Sequence, residues 1–141
     1  MSVSRSQPQI TDTAAARVVD AAVEHARASG LNVCVAVVDS CGLLTAFRRM
    51  PGAPLHSSDI AIDKAYTAAS FGMATSQWGD IMPKYSASVQ RGVPLRARMI
   101  QFGGGLPILR DGVVIGAVGV SGADERQDEE CARSGCDAIE A

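Results

Sequence analysis

Between Thr11 and Ser29 apolar residues return every three or four positions. Val18, Val19, Ala22, Val23 and Ala26 share one side, which predicts a helix. Thr11 or Asp12 would cap its start and Gly30 its end. His25 borders this stripe as a packed or surface residue. The pattern then changes to the β-branched run VCVAVVD (33–39), followed by LLTAFRRM (43–50). The short Ser40-Cys41-Gly42 link makes these two an antiparallel hairpin. After PGAPL, residues 57–72 again read as a helix, capped by Ser57 or Ser58. On a wheel, Ile60, Ala61, Ala65, Ala68 and Gly72 gather on one side, and Lys64 lies within that apolar arc.

Residues 74–93 carry a weaker pattern, with a short helix expected around Gln77 to Met82. RARMIQF (96–102) has strand propensity. A second hairpin follows in LPILRDGVVIGAVGVSG, turning at Asp111-Gly112. Asp124, with Gln127 three residues on, forms a capping box for a last helix. Asp128, Glu129 and Glu130 favour the positive end of its dipole, while Cys131, Gly135, Ala138 and Ile139 line its inner face. Consecutive hairpins require an antiparallel sheet. The fold expected is therefore α+β: a single-layer antiparallel sheet of about five strands flanked by helices, in the order α-β-β-α-(α)-β-β-β-α. Residues 1–10 would form a flexible arm and 11–141 one domain.

Length and composition agree. A chain of 141 residues with 47% hydrophobic and 20% charged residues suits one globular domain. Aromatic content is only 4%, so Ala, Val and Gly supply most of the core. A formal charge of −2, with no basic stripe interleaved with aromatics, argues against nucleic acid as a partner. No stretch reads as a membrane span or a signal peptide, which makes the cytoplasm the expected location. Cys34, Cys41, Cys131 and Cys136 match no zinc spacing, and Cys34 and Cys131 read as small core residues. No metal cluster is expected.

The Gly103–Gly105 run lacks the Gly-Lys-Ser/Thr and strand-to-helix setting of a phosphate loop, so it reads as a bend or a close backbone approach. The positions that could carry chemistry are grouped. Asp39, Arg49, Met50, His56 and Lys64 lie where strands end or the second helix begins, and the glycine run and Ser121-Gly122 could meet the same edge. Arg and Lys with few fixed anionic partners suit a ligand bearing carboxylates. The plain alternative is that Lys64 reaches past its neighbours to water.

Several stretches together resemble the GlcG/HbpS-like haem-binding family, which includes the C-terminal domain of PduO-type proteins. They are Asp39/Gly42/Leu44, Arg49-Met50-Pro51-Gly52-Ala53, Ser57/Ala61/Lys64-Ala65, Gly104-Gly105-Leu106-Pro107 and Gly119-Val120-Ser121-Gly122. The likeness runs from about residue 11 to the end. Pro51 stands where the family commonly has Asp, removing a charge and stiffening the loop. The resemblance implies a homo-oligomer with an even number of subunits and haem as ligand. Possible links are to haem degradation, iron handling or redox sensing. By residue type His56 and Met50 are then the axial candidates, with Arg49, Lys64, Gly104, Gly105 and Ser121 completing the binding set. A second reading is a cofactor-independent isomerase, tautomerase or hydrolase acting on a small organic acid or carbonyl compound. There Arg49 holds a carboxylate, Lys64 is base or polarising acid, and Asp39 or His56 moves the second proton. A third is an oligomeric scaffold with no ligand, in which Lys64 ties down an Asp39-like carboxylate across the subunit.

Overall fold

Alternation along the two hairpins builds the sheet. In the computed structural model, which describes residues 1–140, the strands are β1 (Cys34–Asp39), β2 (Leu44–Arg49), β3 (Gly105–Arg110) and β4 (Val113–Ser121). All neighbours are antiparallel, in the order β2-β1-β4-β3. Asp111 (φ 52°) and Gly112 (φ 77°) both sit in the left-handed region, the signature of the two-residue turn expected between β3 and β4.

The helices are α1 (Asp12–Ala28), α2 (Ser57–Phe71), the short α3 (Trp78–Ile81) and α4 (Ala87–Gly92), and α5 (Glu125–Asp137). Because side chains alternate along a strand, β1 and β4 are apolar on both faces. Val33, Val35, Val37, Val118 and Val120 meet Val18, Val23 and Cys131 of α1 and α5 in the main core. On the other face Cys34 and Ala36 meet Ala61, while Val38 and Ala117 meet Ala65 and Ala68 of α2. The sheet is thus sandwiched, with α1 and α5 on one side and α2 on the other. Gly119 permits this spacing: a Cβ there would overlap the Ala61 carbonyl oxygen. Ile10 is buried in the main core and donates its N–H to the Ile115 carbonyl at 2.8 Å.

The predicted caps hold at both outer helices. Thr11 accepts from Ala14 N–H at 3.1 Å, and the Asp124–Gln127 capping box is formed. At α2 neither serine caps. His56 holds the N-cap position in helical conformation without a side-chain bond, and Ser57 is already the first helical residue and buried.

The sheet has four strands, not about five, and RARMIQF is the strand that is missing. Arg98 turns the chain at φ 66°, and Thr67 of α2 takes over the backbone there. Its hydroxyl donates to the Arg98 carbonyl (2.8 Å) and accepts from Ile100 N–H (3.1 Å), while the Arg98 guanidinium meets Asp63 at 2.9 Å and stacks 3.7 Å over Tyr66. A segment pinned to a helix in this way cannot also join a ladder. The expected helix at 77–82 is broken into 3-10 turns on both sides of α3, and the unanticipated α4 follows.

Candidate functional site

Lys64 does not reach solvent. Its Nζ donates to the Val120 carbonyl at 2.8 Å and to Asp128 Oδ2 at 3.0 Å, and the two side chains are only 1% and 3% exposed. Lys64 belongs to α2 and Asp128 to α5, so the pair links helices on opposite faces of the sheet around the start of β3. Gly104, at φ 127°, makes the passage possible; a Cβ there would lie 2.5 Å from Nζ. The Phe102 ring lies 5.2 Å from the ammonium, within reach of a cation–π contact. Asp128 Oδ1 accepts from Ala123 N–H at 3.0 Å. Burial is the largest influence on both charges, pushing Lys64 below its ordinary range and Asp128 above, and each partner's charge opposes the shift.

The surrounding glycine amides are also occupied. Gly103 N–H donates to Glu125 Oε2 and Gly105 N–H to Thr75 Oγ1, each at 2.9 Å. Gly104 and Gly105 pack closely against Lys64, and Ser121 is buried at the end of β4.

The remaining predicted residues divide between the two ends of the sheet. Asp39 pairs with Gly116, at the end of β1 remote from Cys34, which pairs with Arg49 and Ser121. Five residues of strand put Asp39 about 17 Å from that register. Its Oδ1 accepts from Cys41 N–H (2.9 Å) and Leu43 N–H (3.0 Å), fixing the β1–β2 turn. Met50 is buried, its sulfur accepting from Val33 N–H at 3.5 Å.

Arg49 closes β2 and His56 precedes α2, so the two stand at opposite ends of the β2–α2 connection. Arg49 Nη2 donates to the Ala53 carbonyl at 2.5 Å, and Ala53 N–H donates to Met50 O at 3.1 Å. Pro51 is the second residue of that tight turn and Gly52 (φ 89°) the third, the arrangement a type II turn prefers. His56 is exposed, and Leu55 before it is 81% exposed. The other histidine, His25, is engaged with Ser134 Oγ at 3.0 Å. Among the described residues no group of three His, Cys, Asp or Glu is placed to hold a metal ion.

A sequence profile described as haem-degrading protein HbpS-like matches residues 10–137. The chain belongs to the HbpS-like family. It is 38% identical over 119 residues to the corrinoid adenosyltransferase PduO of Salmonella typhimurium, covering 84% of this chain but only 35% of that protein. The Klebsiella pneumoniae protein ORFY has the same fold, with a TM-score of 0.92 and 35% identity over 100% of this chain and 97% of the other. PduOC, solved as a haem complex, gives a TM-score of 0.85 and 34% identity over 94% and 96%.

Asp128 was the partner that sequence reasoning missed, because an acid in a first helical turn already has a role at the dipole. A second signal was present. Asp128 precedes Cys131, Ala132 and Gly135 by three, four and seven residues, so it stands in the apolar stripe of α5 as Lys64 stands in that of α2. Two opposite charges, each in the buried stripe of its own helix, point to each other.

Proposed function

We propose that this protein binds haem at the β2–α2 corner, with the His56 imidazole as axial ligand and Arg49 meeting a propionate. The observation that carries the reading is the state of the two histidines: His25 is tied to Ser134, whereas His56 is open to solvent beside exposed Leu55. The residues present fit the group. Haem needs a ligand for iron, apolar contact and a cation for its carboxylates. His56, Leu55 and Arg49 offer one of each, and Arg49 keeps guanidinium donors beyond the one given to Ala53. The likeness to PduOC, a haem complex of the same fold, supports the reading. Iron bound there would supply redox or ligand-exchange chemistry. His56 would hold it, Arg49 would orient the macrocycle, and Leu55 would shield one edge from water. Haem degradation would require this binding first. Met50, buried and already an acceptor, is left out of the axial set.

The enzyme reading has no comparable support. Lys64, its base, is enclosed by Asp128 and the Val120 carbonyl, and Asp39 lies at the other end of β1.

Haem titration of the purified apo-protein tests the proposal, following the Soret band beside an albumin control. Saturation at one haem per subunit or subunit pair is expected for the wild type and for His25→Ala, and its loss for His56→Ala. An unaltered band in His56→Ala would rule out the assigned ligand, and a weak non-saturating response in all three would overturn haem binding itself.

A further inference from the structure

The two sides of β2 are covered differently. Toward α1 the strand is packed: Ala46 joins the main core, and Arg48 meets Asp20 of α1 at 2.6 Å. Toward α2 it is open. Phe47 lies directly across the ladder from Ala36, and Arg49 from Cys34, and residues opposite one another point to the same face. Cys34 and Ala36 are buried against Ala61, so Phe47 and Arg49 stand on the α2 side of the sheet. Yet α2 packs over β1, β4 and β3 rather than over β2. No residue of β2 is buried, and Phe47 is 39% exposed.

Ile62 turns this open side into a ledge. It is half-buried against Cys34, Ala36, Ala53 and Ala61, so it flanks Ala36 from the helix as Phe47 does from the neighbouring strand. Arg49 closes one end, one strand repeat or about 7 Å along from Phe47. Its Nη2 is on the Ala53 carbonyl, and the guanidinium has further donors to offer.

The Phe47 ring is left without a partner. Among the described residues Phe71 pairs with Trp78, Phe102 lies near the Lys64 ammonium, and Tyr66 lies under Arg98; Phe47 has neither ring nor cation against it. An open aromatic face, backed by an isoleucine and ended by a guanidinium, suits a flat apolar molecule that carries an acid. A second strand is a poorer occupant, because the adjacent cations Arg48 and Arg49 oppose edge pairing.

We propose that the haem site extends onto this ledge, where Phe47 and Ile62 hold the face of the macrocycle, so that the site takes a tetrapyrrole dicarboxylate with or without its metal. The inference rests on the reading that haem meets His56 and Arg49, and it adds a contact that needs no iron. The His56 imidazole acts on the metal alone. Phe47 and Arg49 act on the organic frame, one through its face and the other through its carboxylate.

Metal-free protoporphyrin IX is the probe, followed by its fluorescence on the full chain beside the haem titration. Wild type should bind both, each displacing the other. Phe47→Ala should weaken both about tenfold, the effect of losing one aromatic contact, and Phe47→Tyr should restore them because the ring face is kept. His56→Ala should lose the Soret response yet hold protoporphyrin within about twofold of wild type. Leu109→Ala removes an exposed apolar side chain from the opposite edge strand and should change neither. Circular dichroism checks that each variant is folded. Haem bound without protoporphyrin, or protoporphyrin binding unmoved in Phe47→Ala, would overturn the ledge and leave the haem reading standing. Equal losses in Phe47→Ala and Leu109→Ala would mean unspecific adsorption and also overturn it. A wild type with no saturable response to haem would instead remove the reading on which the ledge rests.

Discussion

Lys64 Nζ lies 3.0 Å from Asp128 Oδ2, and this contact joins α2 to α5 across the sheet they enclose. Both groups are almost wholly buried, so neither can turn to water when the other is removed. Lys64→Ala or Asp128→Asn should therefore cost about 3–5 kcal/mol, the range for a buried pair broken from one side. Replacing both with apolar residues of similar size, Lys64→Met with Asp128→Leu, should cost much less than the sum of the single changes. Urea unfolding of the four proteins checks this. A Lys64→Ala chain as stable as wild type would show that the pair has no structural weight.

Close approach of α2 makes a sharper contrast among glycines. A methyl group at Gly119 would run into the Ala61 carbonyl, backbone on both sides, with no flexible end to give way. Gly119→Ala should destabilise at or beyond the upper end of the roughly 1–3 kcal/mol typical of overpacking. Gly79→Ala, with nothing within 4 Å of its Cβ, should instead be neutral or gain about 0.4–1 kcal/mol from the stiffer unfolded chain. Thermal melts of the two variants make the comparison, and equal melting points would refute the packing argument.

These positions show what could be read from sequence. Both hairpins, the Asp111-Gly112 turn, and the caps at Thr11 and Asp124 were legible because each rests on local chemistry within a few residues. The strand expected at 96–102 was not, because Thr67, some thirty residues away, decides its backbone hydrogen bonds. The site divides the same way. Lys64 was conspicuous in an apolar stripe, but its partner follows from tertiary packing of two helices distant in sequence. Asp39 was grouped with Arg49 because both end strands; antiparallel pairing carries those ends to opposite sides of the sheet.

The cysteines should differ in reactivity. Burial pushes the thiols of Cys131 and Cys136 up to about 11. At pH 7 only about one molecule in 10⁴ then carries the thiolate at either position. Cys41 is exposed and Cys34 buried. Iodoacetamide with peptide mass analysis should label Cys41 first, the others following only in urea. Rapid native labelling at Cys131 would mean that α5 opens far more readily than its packing against α1 implies.

The two axial candidates can be separated at the same corner of the fold. Met50 directs its sulfur to Val33 N–H inside the main core, whereas His56 stands in solvent six residues later. Met50→Leu keeps the volume and loses only a weak sulfur acceptor, so it should cost less than about 1.5 kcal/mol and leave any haem spectrum unchanged. His56→Ala removes an exposed side chain that makes no capping bond, so it should leave stability within about 0.5 kcal/mol while abolishing the Soret response. Unfolding and titration run together on both variants distinguish fold from ligand. A spectral change in Met50→Leu with His56→Ala unaltered would move the iron ligand to the sulfur and require the core around Val33 to open.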